Sequence, residues 1–154
     1  MPTASKRRAS GGGSKSELIK QALTSEHAVV DLRQLALSPG GLVAHRESAW
    51  NILLQLDVEP PAASLDGGGE EVAAKTLNQI GLDVARSYGN LPEEQGSEKR
   101  AELKRFLARY FAINPTLHYY QGFHDVAMVV LEVFPTLPSQ LAAMRQISTN
   151  WVFY

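Results

Sequence analysis

The stretch AAKTLNQIGLDVARSY, residues 73–88, decides the fold. An α-helix turns about 100° per residue, so Ala73, Leu77, Ile80, Val84 and Tyr88 line one narrow apolar stripe. No alternation of period two competes with that pattern, and the segment reads as a helix with one buried face. Asp83 lies at the flank of the stripe, and Arg86 sits nearly opposite it. An Asp three residues before an Arg can pair with it along the helix surface and restrict its rotamers. A solvated ion pair is the ordinary meaning of that spacing.

The helical period continues on both sides. Upstream, Ser16 is expected to cap ELIKQAL; AVVDLRQLAL follows, and Ser-Pro-Gly-Gly closes it. HRESAWNILLQL then places Ala49, Trp50, Leu53 and Leu54 on one side. Residues 1–15 are rich in Ser, Gly, Lys and Arg and read as a disordered basic tail, with Lys6-Arg7-Arg8 as solvated charge. The folded part is expected to be 16–154. Inside it EPPAASLDGGGEE, residues 59–71, stops both regular structures and marks a flexible linker, placed at 57–69. Beyond the linker a helix runs from about Glu70 to Tyr88, and Asn90-Leu91-Pro92 interrupts it. SEKRAELKRFLARYFA begins another, which Asn114-Pro115 stops. QGFHDVAMVVLEVF makes the next, and Pro135 and Pro138 bracket a turn before SQLAAMRQISTNWVFY. The fold class is all-α.

The second informative stretch is HYYQGFHD, residues 118–125. The helical wheel puts Phe123, Val126, Val130 and Phe134 on the buried side and Gln121 with Asp125 on the far side. A Gln–Asp hydrogen bond one turn apart is available to that pair. Gly122 either eases the turn or admits a close approach. Tyr119 and Tyr120 read first as packing residues, each needing a single hydrogen-bond partner. His124-Asp125 has the form found in some metal-dependent phosphohydrolases, which need further His and Asp ligands. His27, His45 and His118 lie outside any ligand spacing, so no metal site is expected.

Composition removes several other classes. A net charge of -1 gives no argument for nucleic acid or an anionic membrane as partner. With no cysteine, thiolate nucleophiles and Cys-ligated zinc are excluded, and a cytoplasmic location is expected. The longest apolar run, VAMVVLEVF, carries Glu132 and is too short to span a bilayer. No Gly-rich phosphate loop of the G-x-x-x-x-G-K-[ST] kind is present, and no Ser or Thr has a His/Asp constellation around it. What remains is one arginine and one glutamine, each projecting from a helix whose other face is core. GTP hydrolysis uses that pair of groups: a cation on the charge developing at the phosphoryl group, and an amide that orients the attacking water. A protein lending both to another protein's nucleotide needs no nucleotide site of its own. The helical wheels permit this reading without compelling it.

These residues resemble the TBC-domain family of Rab GTPase-activating proteins. Ile80-x-x-Asp83-x-x-Arg86 is similar to the family's arginine-finger motif, and Tyr119-x-Gln121-Gly122-x-x-Asp125 to its glutamine-finger motif. Arg46-x-x-x-Trp50-x-x-Leu53-Leu54, preceded by Gly-Gly-Leu, resembles the segment that opens the domain. The wording NPTLHYYQGFHD is closest to the membrane-anchored branch acting on Rabs of ER-to-Golgi traffic. The resemblance runs from about Gly40 to Phe134. It implies an all-helical fold, with Arg86 as arginine finger and Gln121 as the group that positions water. It also implies that Asp83 holds Arg86, while Tyr119, Gly122 and Asp125 shape the turn presenting Gln121. The implied partner is a GTP-loaded Rab, which brings GTP and Mg; the chain has no cofactor of its own. Location at ER or Golgi membranes follows from the same branch. Because TBC domains continue past the glutamine finger, a partial domain truncated after that motif is expected, with ISTNWVFY outside the resemblance and no C-terminal anchor. The competing expectation is a catalytically inactive fragment that serves as a Rab-binding or scaffold module.

Overall fold

The computed structural model describes residues 13–56 and 72–152, and among these every regular element is helical. The tail up to residue 12 and the linker at 57–69 lie outside the described residues. The chain divides into two compact units, one ending at Leu53 and the other beginning at Leu54.

The first unit holds α1 (Lys15–Leu23), α2 (Ala28–Leu37), a 3-10 turn at Val43–His45 and α3 (Arg46–Leu53). The cap of α1 is Ser14 rather than Ser16: its side chain accepts from the Glu17 backbone N–H. Ser14 and Glu17 have the spacing of a capping box, which sets the helix start two residues earlier. Lys15 is thereby part of the folded unit, where its ammonium donates to Ser38 O, Ser38 Oγ and Pro39 O at 2.9, 2.7 and 2.6 Å. It holds the turn in which Gly40 and Gly41 take φ of +87° and +54°. Ser16 Oγ instead meets His45 Nε2 at 2.8 Å. Ile19, Ala22, Leu32, Leu42 and Ala49 form the core, with Trp50 and Leu53 packed against it.

The second unit is built on α5 (Glu93–Ile113), which packs against α4 (Ala74–Ala85) and α6 (Phe123–Val133). Helix α6 packs in turn on α4 and on α7 (Leu137–Ile147), and α7 runs into one π turn at Ser148–Val152. Helix α4 is shorter at both ends than its pattern suggests. Ala73 is its exposed N-cap residue, and Tyr88 lies past its end with φ +58°. Helix α5 begins four residues before Ser97, with Glu93 and Glu94 in the first turn, where the helix dipole favours them. Gly96 is buried within α5, where an added Cβ would stand 3.4 Å from Tyr88 O and 3.0 Å from Arg100 Nη1. The tighter neighbour is the Arg100 side chain, while the Tyr88 carbonyl is at ordinary contact distance.

Aromatic rings make the centre of this unit. Phe111 and Phe123 lie 5.0 Å apart between centroids, with Tyr110 at 5.7 Å from Phe123 and Tyr119 at 5.7 Å from Phe111. Of the apolar face expected on α6, Phe123, Val130 and Phe134 are buried, and Ala127 takes the place expected for the half-buried Val126. Burial raises the Tyr110 hydroxyl pKa, partly offset by its hydrogen bond to Ser148 and by Arg145. Ser148 Oγ donates to Met144 O at 2.7 Å, so it accepts from Tyr110. The pair closes the end of α7 onto α5. Tyr110→Phe and Ser148→Ala should each cost about 1 kcal/mol, as expected for one neutral hydrogen bond. Urea unfolding of both variants and of their combination should show the double change costing less than the two together, because they share one bond.

Candidate functional site

Asp83 is the centre of the site. It lies in the last turn of α4, and its side chain is 1% exposed. Its helix position is therefore more buried than the flank of the apolar stripe suggests. Two donors from different parts of the chain satisfy it. Arg86 Nη2 donates to Oδ1 at 2.7 Å, and the Tyr119 hydroxyl donates to Oδ2 at 2.8 Å. Burial on its own would raise the Asp83 pKa. The hydrogen bonds from Tyr119 and Arg86, with the charges of His124 and Arg86, outweigh burial and hold it below its ordinary 3.8. The Tyr119 hydroxyl moves the opposite way: burial and the adjacent Asp83 carboxylate keep its proton on.

Arg86 is the C-cap residue of α4, and its side chain is 70% exposed. Solvent screens the pair from that side, so its net contribution to stability is about 1 kcal/mol or less. What the contact does is choose a rotamer. One end of the guanidinium is anchored to a buried carboxylate while most of it stays at the surface.

The segment after Tyr119 is shaped by its backbone. Gly122 has φ +99°, a left-handed conformation that other residues rarely adopt. Phe123 N–H bonds Tyr120 O at 3.1 Å, and Asp125 N–H bonds Gly122 O at 3.1 Å. With Phe123 buried directly after it, this turn leaves Gln121 exposed at the mouth of α6. An added Cβ on Gly122 would meet no atom within 4 Å, so backbone conformation rather than space requires the glycine. In place of the Gln121–Asp125 bond that the spacing allows, Asp125 Oδ1 lies 3.4 Å from His124 Nε2. Tyr120 is partly exposed and packs edge-on against Phe123 at 5.5 Å.

Of the residues singled out in the sequence, Asp83, Arg86 and Tyr119 are in direct contact, and Ile80 is buried one turn before Asp83. Gln121, Gly122 and Asp125 belong to the same turn. Arg46 and Trp50 are in the first unit, Arg46 exposed at the start of α3 and Trp50 packed on that unit's core. His124 is the residue that the sequence pattern undervalued. Its Nδ1 lies 3.3 Å from the Tyr119 hydroxyl and 4.0 Å from Asp83 Oδ2. The only available signal was its adjacency to Asp125, which pointed to metal chemistry. Among the described residues, no three His, Asp or Glu side chains converge as metal ligands.

Comparison with known proteins gives this arrangement a family. The Rab-GTPase-TBC domain family matches residues 44–154, and the chain belongs to it. The match passes Phe134 and includes the terminal ISTNWVFY, which the motif resemblance left out. TBC1 domain family member 20 of Bos taurus is 37% identical over 122 residues, covering 75% of this chain and 30% of that protein. The Homo sapiens protein of the same name is 36% identical over 122 residues, with the same coverage. GTPase-activating protein GYP8 of Saccharomyces cerevisiae is 30% identical over 110 residues, 67% of this chain and 21% of that protein. The chain thus spans less than a third of the length of each relative. No helix among the described residues is long and apolar enough to cross a membrane.

The Asp83 network sets an acid limit. A carboxylate whose folded-state pKa lies below 3.8 stabilises the fold above that value, and the contribution is lost as pH falls through the folded-state value. Tyr119→Phe removes one donor, so it should cost about 1.5–3 kcal/mol at neutral pH. It should also raise the Asp83 pKa, so the acid loss of stability begins at higher pH in the variant. Thermal unfolding of both proteins from neutral pH to about pH 3 measures the displacement.

Proposed function

We propose that this chain carries the catalytic side chains of a Rab GTPase activator, with Arg86 as arginine finger and Gln121 as the water-positioning amide. One observation carries the reading. A single buried carboxylate, Asp83, joins the exposed Arg86 to Tyr119, which directly precedes the Tyr120–Phe123 turn that leaves Gln121 exposed. The family membership and the relative named as a GTPase-activating protein support the same class of activity.

The partner is a GTP-loaded Rab, and both GTP and Mg are the partner's. In the complex, Arg86 brings a fixed cation to the charge developing on the transferred phosphoryl and the leaving oxygen. Guanidinium suits this because it stays protonated and offers donors in a planar fork. The Gln121 amide accepts from the attacking water through its oxygen and donates through its nitrogen, holding the lone pair in line with the phosphorus. Asp83 and Tyr119 touch neither group of the nucleotide; they hold Arg86 in place before the partner arrives. Hydrolysis would end the active state of a Rab in vesicle traffic. The branch resemblance favours ER-to-Golgi membranes, with this chain on their cytoplasmic side.

Single-turnover GTP hydrolysis by a panel of Rabs, with and without the chain, tests the reading. Arg86→Ala should remove roughly 10³-fold or more of the stimulation, as an arginine finger generally contributes. Gln121→Ala should also abolish it, while both variants still bind the same Rab. Binding without stimulation by the unaltered chain would instead identify a Rab-binding module.

A further inference from the structure

His124 has contacts that packing does not require. It is the second residue of α6, directly after the Gln121–Gly122 turn, and its side chain is 13% exposed. One ring nitrogen faces the α4 network, with Nδ1 at 3.3 Å from the Tyr119 hydroxyl and 4.0 Å from Asp83 Oδ2. The other faces outward, with Nε2 at 3.4 Å from Asp125 Oδ1. Counting protons shows what each ring nitrogen faces. Tyr119 has one proton, and giving it to Asp83 leaves only oxygen lone pairs for His124. A carboxylate likewise offers only lone pairs to Nε2. Each ring nitrogen thus lies beside an oxygen with free lone pairs.

We propose that His124 is a positioning residue that couples the two fingers, tying the α6 turn that presents Gln121 to the Tyr119–Asp83 pair that holds Arg86. The proposal rests on the activator reading above and deepens it. The two motifs are far apart in the chain, and each by itself could present its finger independently. His124 makes them one constellation, because its backbone is part of the glutamine turn while its ring reaches the arginine's anchor. Placement of both groups then responds to one side chain. A misplacement on the order of 1 Å costs such reactions as much as 10²-fold.

Two isosteric replacements separate the ends of the ring. Asn puts an amide nitrogen where Nδ1 stands, and Gln puts one where Nε2 stands; Leu fills the space with neither. In the chain alone, the side-chain N–H resonances of Arg86 and Gln121 report each finger. His124→Leu should move both. His124→Asn should leave Arg86 near its unaltered position and move Gln121, and His124→Gln should do the reverse. With the Rab that the unaltered chain stimulates, His124→Leu should lower kcat roughly 10- to 100-fold with little change in KM, since placement and not binding is lost. Unmoved resonances in the Leu variant, or Asn and Gln variants with identical effects, would overturn the coupling. Should the Leu variant not fold, the Asn and Gln pair decides. Failure of the unaltered chain to stimulate any Rab would sink the activator reading alone, because the resonances still test the coupling.

Discussion

A carboxylate taken out of water must have its lone pairs met by donors, or it costs several kcal/mol. That constraint at Asp83 organises the second unit. One oxygen is met by Arg86 three residues on, and the other by Tyr119, thirty-six residues away in sequence. The end of α4 and the segment between α5 and α6 must therefore meet for the charge to be buried at all. Tyr119 can serve only because its ring is fixed on Phe111 and Phe123, so the aromatic centre and the polar site form together. Packing places the phenol, the phenol satisfies the carboxylate, and the carboxylate aims the guanidinium.

The value of this arrangement lies in orientation more than in stability. An exposed arginine freely samples many rotamers, and fixing one costs about 2 kcal/mol of side-chain entropy. A partially exposed ion pair recovers little more than that, which is why such pairs measure near zero in stability. The anchored arginine nevertheless meets a partner with its rotamer already chosen, and the ordering need not be supplied at encounter. The same contact is weak as a fold determinant and strong as a preparation for binding.

How much of this could be read from sequence depends on which interaction sets each feature. The all-α class and the helix order were legible because they rest on apolar period, which is local. Arg86 and Gln121 were found as outward polar groups on helices with buried faces, and the family motifs named them. Helix limits shifted where a cap decided them: the Ser14 side chain accepts from the Glu17 backbone N–H and starts α1 two residues early. The depth of Asp83 was not legible, since a wheel gives its azimuth but not what covers it. Tyr119 as its donor and His124 as a bridge were hidden for the same reason. Both depend on contacts across more than thirty residues or between neighbouring helices, which no local spacing encodes.

The two exposed groups are held by different physics, and this makes the site asymmetric. Arg86 is placed through its side chain, by a carboxylate that could release it. Two residues on, Tyr88 takes a left-handed conformation, φ +58°, while its ring is buried. Such a conformation costs a non-glycine residue about 1–2 kcal/mol, and the buried Tyr88 hydroxyl has no hydrogen-bond partner among the described residues, so burial of the ring has both to offset. Gln121 is placed through its backbone, by the φ of +99° at Gly122 and the buried Phe123 that follows. Its own side chain is exposed. A cation that must meet a phosphoryl group in one geometry gains from being held. An amide that must follow a water molecule gains from a fixed origin and a mobile end. On the roles proposed above, each residue has the kind of constraint that its chemistry can use.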